Sequence, residues 1–433
     1  MRLLVEPTTR PLSHELVIPN SKYHAHRALI LASLADGPSR ILGLTHAQHV
    51  GFTIKLLRDL GVGVRIEGES IVVEGHGPYH PVCPTVSAGS SGTTLYFMIG
   101  LCALADRPVT IRAQRYFLRR PIQPLLECLR ELGVETDSDD GCPPIRVRCG
   151  RPAGGHVRIP GTLSQWLSGL LLTAPFARRE TIIEVEGALN ERPYVHLTLS
   201  MMRQFGLEAE VSRDWRRYVV PPNQRPHPAT VELPADISAA AFGLAITALH
   251  PADVLLRGLK GTGGGSNDHP EAAFLELVRE MGVPMQYDES LHGVRVRHDG
   301  VRPRAVHVDC RETPDMLPIV ATLAAFADGE TLIDNIDHVR LKESDRVSAM
   351  LQLNRMGGHL RIRDSSLAIR GVDRLCGREL SSFNDHRVLM SLAIAATRAN
   401  GPTHLTYPHA YRISYPEFLD AMNGIGANME CVS

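Results

Sequence analysis

Gly89-Ser90-Ser91-Gly92-Thr93, followed by the apolar run 94–105, reads as a tight turn feeding a buried helix. Glycine and serine bend the chain, and the run behind them is too apolar to keep a wet face. The same grammar recurs outward in both directions. Ile18-Pro19-Asn20-Ser21-Lys22 precedes 24–36, and Pro160-Gly161-Thr162-Leu163-Ser164 precedes 165–177. Pro234-Ala235-Asp236-Ile237-Ser238 precedes 239–249, Thr313-Pro314-Asp315 precedes 316–328, and Asn384-Asp385-His386-Arg387 precedes 388–399. A second helix with a polar face follows each one and closes at Gly61, Gly133, Gly206, Gly282, Gly357 or Gly426, at intervals of 69 to 76 residues. A left-handed C-cap suits glycine, so the near-constant spacing marks a repeat. Alternating segments such as 62–67, 70–73, 134–137 and 145–149 read as strands. The unit is strand, helix, strand, helix, strand, strand, repeated six times. Three units make a reasonable domain, so two similar halves are expected, with the crossing near Pro234–Ile237. Buried helices of like direction would point their N-termini at one region and favour a multiply anionic ligand there.

Composition narrows the function. In 433 residues, 46 Lys and Arg balance 47 Asp and Glu, so no basic field recruits nucleic acid. Contents of 43% hydrophobic and 21% charged residues are those of a globular chain. No apolar run is long enough for a membrane span, and Met1–Pro7 is too short for a signal peptide; a cytoplasmic location is expected. The eight cysteines include no C-x-x-C pair and read as reduced thiols, and the histidines carry no H-E-x-x-H motif. The Gly-rich segment 261–270 reads as a flexible surface loop, and it lacks the ending of a phosphate-binding P-loop.

Leu341-Lys342-Glu343-Ser344-Asp345-Arg346 crowds charge into what reads as the first turn of a helix. The acids suit the positive end of the helix dipole and the cations do not. Four residues apart on a helical path, Lys342 and Arg346 would share a face and could grip an anion; a solvated helix start with ion pairs is the competing reading.

Taken together, Asn20-Ser21-Lys22 with Arg27, Gly89–Thr93, Ser164-Gln165, Arg192-Pro193-Tyr194, Pro314-Asp315, Leu341–Arg346 and Asn384–Arg387 resemble the signature of the enolpyruvyl transferases, in particular the branch acting on shikimate 3-phosphate. The resemblance covers essentially the whole chain in order. It implies an α/β fold of two inside-out α/β barrel domains, six βαβαββ repeats in all, closing over substrates at a cleft. The domains would be 19–235, and 1–18 plus 236–433, with the N-terminal strand in the second. It implies no metal or organic cofactor, and no oligomer. The partners it implies are phosphoenolpyruvate and a small hydroxyl acceptor. The acceptor hydroxyl adds to carbon 2 as carbon 3 is protonated, and the tetrahedral intermediate loses phosphate, which needs an acid, a base and surrounding cations. By resemblance, Asp315 would take the acceptor's proton, and Glu343 with Lys22 would deliver one at carbon 3. Lys22, Gly92, Thr93, Gln165, Arg346 and Arg387 would hold phosphoenolpyruvate, supported by His386 and Lys342. Ser21, Arg27, Ser164, Gln165, Glu191, Tyr194, Asp315, His338 and Lys342 would face the acceptor.

The chain departs from the family pattern at several places. Tyr116 and Ile413 replace an Arg and a Lys of the phosphoenolpyruvate site, and Arg115 and Arg412 stand beside them as the expected substitutes. Leu163 and Glu191 replace serines that bind the acceptor's phosphate, His338 replaces an Asn, and Tyr96 an Arg. Leucine cannot hydrogen-bond, and a desolvated glutamate repels a dianion. These departures favour an acceptor other than shikimate 3-phosphate, such as uridine monophosphate, which family members modify at a ribose hydroxyl in nucleoside-antibiotic pathways. Tyr96 and Tyr116 would then stack on a ring. The ordinary shikimate 3-phosphate activity and a non-catalytic ligand-binding relative are the alternatives.

Overall fold

The computed structural model describes residues 1–120, 122–259 and 268–433, with the side chain of residue 119 also left aside. The alternating segments pair into six four-stranded sheets of one pattern. An opening strand runs parallel to the strand after the first helix, which pairs antiparallel with the hairpin following the second. Thr85–Ser87, Val109–Arg112, Cys142–Val147 and Thr136–Asp139 form one such sheet, in that spatial order. Three sheets draw a strand from elsewhere in the chain, and in one of them Leu12–Val17 runs parallel to Ala252–Arg257. Thr230–Glu232 lies parallel to Asp36–Leu42, and Arg2–Glu6 is inserted antiparallel between Thr403–Leu405 and Asn428–Val432.

Twelve α-helices alternate with these strands among the described residues. In chain order they are α1 (Lys22–Leu34), α2 (Gln48–Asp59), α3 (Gly92–Leu101), α4 (Gln123–Glu131), α5 (Ser164–Thr173) and α6 (Arg192–Gln204). Then come α7 (Ile237–Leu249), α8 (Ala273–Glu280), α9 (Leu317–Ala324), α10 (Arg346–Met350), α11 (His386–Ala396) and α12 (Phe418–Gly424). The odd-numbered helices up to α9, with α11, are the first helices of the repeats. Every residue of α1, α7, α9 and α11 is buried, as their alanine and leucine content requires. Before α3, α7 and α11, the preceding side chain ties off open N–H groups. Asp236 accepts from Ser238 and Ala239, Ser91 from Thr94, and Asp385 from Arg387 and Val388. All six terminator glycines adopt positive φ, between +76° and +114°.

The chain divides into two compact units, Met1–Pro19 with Ala235–Ser433, and Asn20–Pro234. Each has its own hydrophobic core around its three buried helices, from Leu3 to Met429 in one and from Ala25 to Leu233 in the other. No described helix is long and apolar enough to cross a membrane.

Two sequence readings change. Residues 341–346 are not the first turn of one helix: 337–341 is a 3-10 turn, Lys342 is extended, and α10 begins only at Arg346. Asp345 causes the late start, because its carboxylate caps the helix at Ser348 N–H and is held by Arg340 at 2.8 Å. Residues 261–267 lie outside the described set, but the end of that segment is no surface loop, since His269 and Pro270 are buried.

Close helix contact gives a direct test. A Cβ on Gly169 of α5 would stand 2.5 Å from the carbonyl oxygen of Tyr96 in α3. Gly169→Val is expected to destabilise the protein by about 1–3 kcal/mol through overpacking, read as a lower urea midpoint. An unchanged midpoint would contradict the contact.

Candidate active site

In the unit containing both termini, the sequence builds a cluster around one guanidinium. Arg346 is 1% exposed. Its Nη1 donates to Asp315 Oδ1 at 2.7 Å, Nη2 to Glu343 Oε2 at 2.6 Å, and Nε to Asp385 Oδ2 at 2.9 Å. Burial alone would lower its pKa, but Asp385, Glu343 and Asp315 outweigh that and hold it above the ordinary arginine value. Asp315 opens the 3-10 turn Pro314–Met316 before α9, and Asp385 is the N-cap of α11, so the arginine ties two buried helix ends to the 342–345 segment. Further cations reach the same carboxylate. Lys342 Nζ lies 3.5 Å from Asp315 Oδ1, and Arg387 Nη2 lies 3.4 Å from Oδ2. Arg387 Nη1 also donates to the Asp315 carbonyl at 2.9 Å. Thus Lys342 and Arg346 do converge, on Asp315, although no common helical face brings them there. Buried His338 sits in the turn 337–341, and buried His386 opens α11 with Nδ1 4.0 Å from Asp385.

The other unit gathers its polar groups at the starts of α1, α3 and α5. Ser21 N-caps α1, and its hydroxyl lies 2.9 Å from His24 Nδ1. Lys22 is buried, with Nζ 3.7 Å from the Tyr23 ring centroid, and Tyr23 meets Tyr194 edge to face at 5.4 Å. Arg27 is buried and donates to Thr198 Oγ1 and to the carbonyls of Tyr23 and Tyr194. Burial pushes its pKa down to about 9, which leaves it charged at neutral pH. Gln165 donates to Thr93 Oγ1 at 3.0 Å and accepts from Arg120 Nη2 at 3.3 Å. A Cβ on Gly92 would lie 2.7 Å from Arg120 Nη1, so the guanidinium uses the space that glycine leaves.

This corrects two expected substitutions. Arg115 is exposed, and Arg120 is the buried cation beside Gln165 and Gly92. The 3-10 turn Arg115–Arg119 is the reason, because it seats Tyr116 on the Ser90 carbonyl and leaves Arg120 at the inner end. Arg412 is also exposed, stacked 5.8 Å over Tyr411, and forms no ion pair with the Arg346 cluster among the described residues.

Glu191 and the two tyrosines also differ from expectation. Glu191 is buried at φ 60°, and its Oε2 accepts from the backbone N–H of Ser164 at 3.1 Å and from its hydroxyl at 2.5 Å. The carboxylate, expected to face the acceptor, is thus held by the start of α5. Tyr96 packs against Phe117 in the core, and Tyr116 stacks on the same ring at 4.3 Å. Both rings are engaged with protein. Arg120, Asp385 and Glu271 escaped the sequence reading; the Asn-Asp-His-Arg start of α11 carried the one usable signal, an N-cap aspartate. No described group of three or more His, Cys, Asp or Glu could hold a metal ion.

Comparison with known proteins agrees along the full length. The family model described as EPSP synthase (3-phosphoshikimate 1-carboxyvinyltransferase) matches residues 7–422. A 3-phosphoshikimate 1-carboxyvinyltransferase of Methanocaldococcus jannaschii is 32% identical over 99% of this chain and 100% of its own. One from Nitrosopumilus maritimus is 30% identical over 97% of each chain. The solved EPSP synthase of Acinetobacter baumannii shares the fold, with TM-score 0.83 over 100% of both chains at 22% identity.

The buried cluster makes a stability prediction. Asp385→Ala removes the fully buried partner of Arg346, and breaking such a pair costs about 3–5 kcal/mol. A urea midpoint within error of the parent protein would show that the remaining carboxylates suffice.

Proposed function

Because the chain belongs to the EPSP synthase family, and is thereby a transferase of carboxyvinyl groups, we propose that it transfers the enolpyruvyl group of phosphoenolpyruvate to shikimate 3-phosphate. The observation that carries the choice of acceptor is the full-length match to relatives that bear this activity in their names. The placement of the two rings weighs against a nucleotide, since Tyr96 is fully buried and one face of Tyr116 is already stacked on Phe117. Among the described residues, the charge of buried Arg27 meets hydroxyl and carbonyl oxygens and an aromatic ring but no carboxylate, which suits an acceptor carrying one.

In this reading the acceptor's O–H proton passes to Asp315, its oxygen bonds to carbon 2 of phosphoenolpyruvate, and carbon 3 takes a proton from Glu343 with Lys22 in support. The tetrahedral intermediate then breaks its carbon–oxygen bond to phosphate and returns a proton from carbon 3, leaving the enol ether. Asp315 and Glu343 share Arg346 as a common anchor, which fixes base and acid relative to each other within their unit. Lys342 and Arg387 flank Asp315 from other directions. Arg387, Lys22, Gln165 and Arg120 are the groups assigned to phosphoenolpyruvate, with Gly92 and Thr93 beside them. Ser21, Arg27, Ser164, Tyr194 and His338 are assigned to the acceptor. Glu191, already seated on Ser164, disfavours a phosphate at the start of α5 and predicts a high KM for shikimate 3-phosphate.

Phosphate release from phosphoenolpyruvate is expected with shikimate 3-phosphate and not with uridine monophosphate; the reverse result would overturn the proposal. Asp315→Ala is expected to abolish turnover while ligand binding stays measurable by calorimetry, and retained turnover would remove Asp315 from the role of base. Glu191→Ser is expected to lower the KM for shikimate 3-phosphate several-fold, on the order of one removed like-charge contact.

A further inference from the structure

Glu271 directly follows the segment 261–270, whose composition suggests a loop, yet it is 0% exposed. A carboxylate removed from water requires charge and hydrogen bonds in return. Glu271 Oε2 accepts from the hydroxyl of Ser238, and Oε1 lies 3.5 Å from Arg387 Nη2. The same Nη2 donates to Ser238 Oγ at 3.1 Å, so hydroxyl, carboxylate and guanidinium form a closed triangle. The other terminal nitrogen, Nη1, donates to the Asp315 carbonyl at 2.9 Å, and Nη2 also lies 3.4 Å from the Asp315 carboxylate.

The support behind Glu271 is rigid. Ser238 lies in the first turn of α7, whose N–H groups are capped by buried Asp236. The ring nitrogens of buried His269 stand 3.2 Å from the N–H groups of Ile237 and Glu271, which ties the 269–271 segment to the same helix start. Arg387 lies in the first turn of α11, so Glu271 reaches its guanidinium from a different repeat.

We propose that Glu271 is a positioning residue for Arg387: with Ser238 it fixes the rotation of the guanidinium and shares its charge with Asp315, so that Arg387 presents its donors to the anionic end of phosphoenolpyruvate. This rests on the reading that Arg387 binds phosphoenolpyruvate. Without Glu271 the guanidinium is free to turn further onto Asp315, engaging the base and weakening its hold on the anion.

The test is a double-mutant cycle on the full chain. Glu271→Gln keeps the shape and removes the charge; it is expected to raise the KM for phosphoenolpyruvate about tenfold, with the acceptor KM within about twofold. In an Arg387→Lys background the same substitution is expected to change that KM less than about twofold. Ser238→Ala, which leaves Glu271 charged, is expected to give a smaller rise in the same parameter, and it carries the test if Glu271→Gln fails to fold. An Arg387→Lys enzyme with unaltered KM for phosphoenolpyruvate would defeat the assignment of Arg387. A normal effect of Arg387→Lys, with equal effects of Glu271→Gln in both backgrounds, or with kcat and both KM values unchanged, would defeat the positioning role alone.

Discussion

The buried guanidinium of Arg346 is the constraint on which the terminal unit depends. A charge so enclosed persists only if its field is met on every side, and here three carboxylates from three separate segments meet it. Asp385 comes from the cap of α11, Asp315 from the turn before α9, and Glu343 from the extended stretch before α10. The two acids assigned to proton transfer are therefore also structural ligands. Their geometry is set before any substrate arrives, because turning either one away would leave part of the arginine's charge unmatched.

The two units solve the same problem with different chemistry. Each holds three buried first helices, and each must satisfy the N–H groups at their starts. The terminal unit uses aspartates, Asp236 and Asp385, as caps. The central unit uses a hydroxyl at Ser91 and, more unusually, the side chain of Glu191 reaching across to α5. The first arrangement surrounds cations with carboxylates, and the second leaves buried Arg27 among neutral oxygens and an aromatic face.

Much of this was legible in the sequence because repetition exposes it. Six glycines at a steady interval announced six positive-φ helix ends, and six turn-plus-apolar runs announced six buried helices. Asp315, Glu343, Lys342 and Arg387 could be read as one constellation, and the fold does bring them within reach of one another. Other features stayed hidden for definite reasons. A local pattern cannot say which of several adjacent arginines faces inward; the 3-10 turn at 115–119 decided for Arg120 over Arg115. Helical spacing failed at 342–346 because a cap residue delayed the helix. The anchoring of Glu191 gave no local signal because its partner, Ser164, lies in another segment, and that of Glu271 gave none because its partners lie in two others.

The insertion of Arg2–Glu6 between Thr403–Leu405 and Asn428–Val432 has a bearing on synthesis. A strand early in this sequence pairs with two late ones, so the terminal unit cannot close this sheet until Thr403–Leu405 and Asn428–Val432 have been made. The central unit faces no such delay, since its own late strand, Thr230–Glu232, emerges at roughly the midpoint of the chain. One half can therefore finish folding while the other is still being made, and Arg2–Glu6 stays an unpaired edge until its two partner strands have emerged.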